Sequence, residues 1–269
     1  MLLLIPLLTA LIFAAVYPLC FWIHSRDPLK NDFHKFHIGL PNFVGGVAVV
    51  SLFFIPMPTS IRTAAVIWKV IMLSTSKYYW KKGFVDHRMI TVPCLSGIIV
   101  SNWVCFELVL KPLLMKGLIT SNALIPIYFI NVLGGLVFCA ALFAMNLGHW
   151  YLNVHGLPIT HLLRSVYVLG IFLFVRLLWD IPMMIWGKVV TQGETIPVLT
   201  FIRHLDGFFI WIAFFFGTVF PFISLYFVRG TLVVKSTQSA TGILYVVLTS
   251  VLIGDLTYKY YLIKYGLAL

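Results

Sequence analysis

Apolar residues run in long stretches along this chain, and polar residues gather in short clusters between them. A helix needs about 20 apolar residues, at about 1.5 Å of rise each, to cross roughly 30 Å of hydrocarbon. Eight stretches approach or meet that length: Leu2–Ile23, Ile38–Met57, Thr63–Trp80, Met89–Leu110, Ala123–Leu152, Leu163–Trp186, Gly207–Val228 and Ala240–Leu262. Lys69, Ser74, Thr75 and Ser76 interrupt the third. Strands of a membrane barrel would alternate polar and apolar residues over about ten positions, whereas these runs are apolar all round. The pattern predicts an all-α, polytopic transmembrane helical bundle of about eight spans. The longest connection, Gly187 to Asp206, has about 20 residues and leaves no room for a soluble domain, so residues 1–269 read as a single integral membrane domain. No internal repeat is evident, which gives a transporter of inverted halves no support.

Composition agrees. Hydrophobic residues make up 61% of the chain and charged residues 10%, against about 25% charged in soluble domains; a water-soluble globular enzyme is excluded. The 23 Phe, 12 Tyr and 8 Trp suit a bilayer and its headgroup belts. The net charge of +11 would suggest nucleic acid in a soluble chain, but here it reads as juxtamembrane Lys and Arg. The first, third, fifth and seventh connections hold ten of these, among them Arg26, Lys30, Arg164, Arg229 and Lys235, against six on the opposite side. That bias puts both termini outside the cytoplasm. With no basic residues ahead of it and no small-residue cleavage site, the first stretch reads as a span rather than a removable signal.

Charges at membrane depth cost roughly 2.5 to 3.5 kcal/mol each on insertion scales, so each needs a partner, a cavity or a function. Arg176 and Asp180 lie four apart, as do Asp255 and Lys259, and Glu107 and Lys111; that spacing allows intrahelical pairing. One reading is structural neutralisation. The other is that Glu107, Asp180 and Asp255 line a proton path or polar cavity, with Arg176 tuning Asp180. Asp180 is best placed for this, because nearby Pro182 weakens the local hydrogen-bond ladder. Cys20, Cys94, Cys105 and Cys139 all fall in spans without Cys-x-x-Cys spacing and read as small hydrophobes.

Histidine is the more distinctive signal. Asn146, His149 and Asn153 form a polar stripe on an otherwise apolar helix, and His149 is expected to face the bundle. Gly148 beside it would admit a flat ligand or another helix. Such a histidine can be an axial ligand to haem iron or hold a quinone carbonyl. His161 is the candidate second metal ligand, with His24 and His87 in reserve. His24, His34 and His37 otherwise read as headgroup residues. Between Asn153 and Arg164 the chain carries His155, Gly156, Pro158, Thr160 and His161. This is either a turn with Thr160 capping the next span or a lid whose Arg164 holds a haem propionate or lipid phosphate. The chain has no His-Glu-x-x-His, Gly-x-Ser-x-Gly or P-loop, and its scattered acids cannot form the paired Asp-rich motifs of prenyl transfer. An autonomous hydrolase is not expected.

The stretch Ala240-Thr-Gly-Ile-Leu-Tyr245, followed by Leu252-Ile-Gly-Asp-Leu256 and Lys259-Tyr260, resembles the last span of a family of uncharacterised bacterial polytopic membrane proteins. So does the segment Asn146-Leu-Gly-His-Trp-Tyr-Leu152. Asp255 and Lys259 stand where that family's pattern has Glu and Arg. The end of the chain is also faintly similar to the NrfD- and DmsC-type membrane anchors of molybdopterin and iron–sulfur oxidoreductases, which exchange electrons with quinone. The resemblance implies an inner-membrane respiratory subunit with peripheral redox partners, and places Asp255 at a helix-packing or proton-handling position.

The expected function is therefore an integral membrane subunit of a bacterial redox complex that binds quinone or haem b and passes electrons or protons. A small-solute transporter or channel using the same charges is the second reading, and a structural assembly subunit the third. Membrane lipid and other redox subunits are the expected partners; nucleic acid and nucleotide are not.

Overall fold

The computed structural model describes residues 3–25, 33–82, 87–154, 156–191 and 193–269. Leu2, Arg26, Lys30 and His155 lie outside the described residues. Eight long helices follow in order: α1 Leu4–His24, α2 Phe33–Phe54, α3 Thr59–Lys82, α4 His87–Met115, α5 Ser121–Asn153, α6 Thr160–Trp186, α7 Phe209–Val233 and α8 Thr237–Tyr265. All but α3 are long and apolar enough to cross a membrane. The chain is a multi-pass helical bundle, as its apolar periodicity predicts. Among the described residues, seven helices rather than about eight satisfy the composition of a span, because α3 carries Lys69 and a run of hydroxyls.

Two compact units divide at Val109 and Leu110, inside a π-helical turn of α4, Phe106–Leu110. In the N-terminal unit α1 packs on α2 and α4, and α3 packs on the same two. Short connections between consecutive helices favour this antiparallel ring. Its interior is not wholly apolar. Lys69 donates to Asn42 Oδ1 at 2.9 Å and to the Asn42 carbonyl, while Asn42 donates to Ser76 and, at 2.9 Å, to the Ile38 carbonyl. Trp68 bonds the Pro93 carbonyl at 3.0 Å. Gly97 makes room for that indole, since a Cβ there would stand 2.5 Å from it.

In the C-terminal unit α5 packs on α6 and α8, and α7 on α6 and α8, giving the same ring order. Between α6 and α7 an antiparallel hairpin pairs β1 (Lys188–Thr191) with β2 (Glu194–Pro197), Val189 opposite Ile196. Gly193, at φ 84°, takes the left-handed conformation its turn requires. Val189, Val198 and Phe201 pack with Tyr261, Tyr265 and Leu267. The helix α8 ends at Gly266, also left-handed, and the chain folds back so that Trp179 of α6 donates to the Ala268 carbonyl at 2.8 Å.

Candidate functional site: a buried charged centre

Within the C-terminal unit, α7 is broken by a π-helical turn, Phe215–Val219. The Phe220 N–H bonds the Phe215 carbonyl five residues back, and in that register Pro221 has no N–H for the Phe216 carbonyl. The freed Phe216 carbonyl accepts the Ser250 hydroxyl of α8 at 2.6 Å. The turn presses Gly217 against Gly254 of α8, where an added Cβ would lie 2.1 Å from the Gly217 Cα. It also aims Thr218 at α6.

There, Arg176 and Asp180 stand one turn apart. The Nε of Arg176 lies 3.0 Å from Oδ1 and 3.3 Å from Oδ2 of Asp180. Oδ2 also accepts the Thr218 hydroxyl at 2.9 Å and the Tyr258 hydroxyl at 2.8 Å. The guanidinium carbon sits 4.1 Å from the centroid of the Tyr258 ring, a cation–π contact. One carboxylate thus ties α6, α7 and α8 together, and it is fully buried.

A second pair, Asp255 with Lys259, lies one turn apart on α8. The two pairs meet at Gly134 of α5. A Cβ at that position would stand 3.0 Å from Asp255 Oδ1 and 3.4 Å from Arg176 Nη1, so only a residue without a side chain leaves space for both groups. Two cations and two carboxylates cancel, which makes burial at membrane depth tolerable. Asn131, Arg176, Asp255 and Lys259 border a cavity of about 20 Å³, with Leu267 and Leu269 also in its lining. A second, of about 10 Å³, is bordered by Gly134, Arg176, Gly217 and Tyr258. Each is on the scale of a single water, which needs two to four polar partners. The Nη2 of Arg176 is buried with no hydrogen-bond partner among the described residues, and Arg176 borders both cavities.

Three residues singled out in the sequence, Arg176, Asp180 and Asp255, therefore come together. Glu107 does not join them; it is half-buried in the π-helical turn of the N-terminal unit. His149 departs from expectation. It lies exposed on α5 rather than inside the bundle, with Nδ1 3.2 Å from the Tyr245 hydroxyl of α8. The stripe Asn146–His149–Asn153 ends its helix, where outward polar groups reach the headgroup region. Gly148 serves the approach of a helix, because a Cβ there would meet the Thr241 hydroxyl at 2.7 Å. His161 is buried in the first turn of α6, and neither histidine borders the charged cavities. Arg164 is exposed, Asn146 half-buried. The expected cap by Thr160 is absent: Thr160 is the first helical residue, and among the described residues no side chain caps α6. His24, His34 and His37 are buried rather than at headgroups; His37 stacks on Phe33 at 3.8 Å and meets the Tyr17 hydroxyl. Thr218, Tyr258 and Gly134 were not anticipated, although Tyr258 stands three residues from Asp255 on the same face. The chain matches no family model, no curated protein and no solved structure.

Proposed function

We propose that this multi-pass membrane protein passes protons through the charged centre of its C-terminal unit, with Asp255 and Lys259 as the exchanging pair. The observation that carries the reading is the difference between the two ion pairs. Asp180, closed in by Arg176, Thr218 and Tyr258, borders neither water-sized cavity, whereas Asp255 and Lys259 border one of them beside Arg176. A proton relay needs this combination: a carboxylate beside water, and a fixed charge that does not leave. Arg176, held by Asp180, is the fixed charge. Protonating Asp255 releases Lys259 from its partner, and deprotonation restores the pair. Cavities of about 10 and 20 Å³ suit water; a quinone ring or a haem needs a pocket of roughly 300 Å³ or more.

In the wider proposal the chain is a subunit of a bacterial inner-membrane redox complex, with both termini outside the cytoplasm, and the path serves proton exchange with quinone or haem b chemistry shared with partner redox subunits. His149 and Tyr245, being exposed, would meet such a cofactor at a boundary with another chain.

The test is purified protein in lipid vesicles with a trapped pH dye and a potassium diffusion potential. Wild-type protein takes up protons faster than empty vesicles; Asp255→Asn falls to the empty-vesicle rate and Asp255→Glu retains uptake. Equal uptake by wild type and Asp255→Asn, or none above empty vesicles, overturns the reading.

A further inference from the structure

We infer that the outward groove between α6 and α7 holds one hydrocarbon chain of an anionic phospholipid, with the lipid phosphate at Arg229. The groove measures about 450 Å³, within the range of small-molecule pockets. Tyr167, Gly170 and Phe174 of α6 line it against Phe222, Tyr226 and Arg229 of α7. The helices run antiparallel along it, with the Phe174 and Phe222 rings 6.4 Å apart at one end and Arg229 beside the first turns of α6 at the other. Gly170 forms the floor, its Cβ position 3.6 Å from Leu225 Cδ1.

Two features select the occupant. A partner helix docks where small residues let backbones approach, but here four aromatic side chains form the walls and Gly170 alone is small. A flexible hydrocarbon chain fits between such walls; a helix backbone is held away. The second feature is charge. Arg164 at the start of α6, Arg229, and Lys235 just past α7 are all exposed at the same end of the groove. The acids of this unit lie elsewhere: Asp180 and Asp255 are buried in the ionic centre, and Glu194 and Asp206 belong to the connection at the opposite ends of both helices. Tyr167 and Tyr226 flank the basic end, as aromatic residues do at headgroup depth, and a guanidinium there forms charge-assisted hydrogen bonds to phosphate. This inference does not depend on the proton path.

The experiment is native mass spectrometry of the full chain in detergent, with phosphatidylglycerol and phosphatidylcholine of identical chains in equal amounts. A single phosphatidylglycerol adduct is expected in preference to phosphatidylcholine, weakened about tenfold in Arg229→Gln. Gly170→Leu, which fills the floor, removes the adduct of both lipids. Arg229→Glu, an exposed change that leaves folding intact, abolishes the preference even if Gly170→Leu fails to fold. Equal adducts of the two lipids in the wild type, or a phosphatidylglycerol adduct unchanged in Arg229→Glu, overturns the assignment. A dimer that Arg229→Glu leaves intact and Gly170→Leu removes gives the groove to a second copy, and also overturns it.

Discussion

Asp180 joins three helices through one carboxylate, so its removal has a consequence beyond one lost hydrogen bond. Asp180→Asn leaves Arg176 as a buried cation without its partner, and breaking such a pair costs about 3–5 kcal/mol. A thermal melt of the protein in detergent is expected to show that loss, with Arg176→Gln in the same chain recovering part of it. A melt of Asp180→Asn that overlays the wild type would remove the carboxylate from any role in holding the unit. Thr218→Val, which deletes one donor to Asp180, is expected to cost about 1 kcal/mol. The ion pairs at this site were legible in the sequence from their four-residue spacing alone. Their hydroxyl partners were not, because a Thr in a membrane helix usually bonds its own helix, as Thr249 does to the Tyr245 carbonyl and Thr257 to that of Ile253. Thr218 escapes that habit through the π-helical turn around it. For His149 the period of the polar stripe told which residues share a face, but not whether that face is inside.

At the scale of helices, Gly254 and Gly217 set how closely α8 approaches α7. An alanine at 254 would put its Cβ 2.1 Å from backbone, which no rotamer relieves, so Gly254→Ala is expected to destabilise by about 1–3 kcal/mol. Gly242→Ala on the same helix is the control. Its Cβ position is open, and the change is expected to be neutral or to stabilise by up to about 1 kcal/mol. Comparable losses in both variants would show that helix packing at 254 is unimportant. Element existence followed from hydropathy because each run had to match the bilayer. The hairpin of Lys188–Thr191 with Glu194–Pro197 did not, since strands of four residues carry too little alternation to stand out; Gly193 between β-branched residues is its only local mark. The closeness of Gly217 and Gly254, 37 positions apart in sequence, is a property of the packed pair of helices and of neither segment alone.

For the whole molecule the open quantity is the number of crossings, and it turns on α3. Its mean hydropathy is lowered in part by residues that the fold turns inward: Lys69 and Ser76 are buried against Asn42, while Ile67, Val70, Ile71 and Leu73 face outward together with the polar Thr63, Ser74 and Lys77. An average around the helix cannot register that inversion, but lipid meets only the outer face. The 24 residues of α3 extend about 36 Å at 1.5 Å each, longer than the roughly 30 Å of hydrocarbon, and the helix packs along both α2 and α4. We therefore expect α3 to cross, making eight crossings and leaving the two termini on one side. Cysteines introduced at Thr59 and Lys82, after replacement of the four native cysteines, all of which are buried, provide the measurement. A membrane-impermeant maleimide added to sealed vesicles of one orientation should label one of the two positions before lysis and the other only after it. If both label from the same side, α3 lies along the membrane, the crossings number seven, and the two ends of the chain fall on opposite sides.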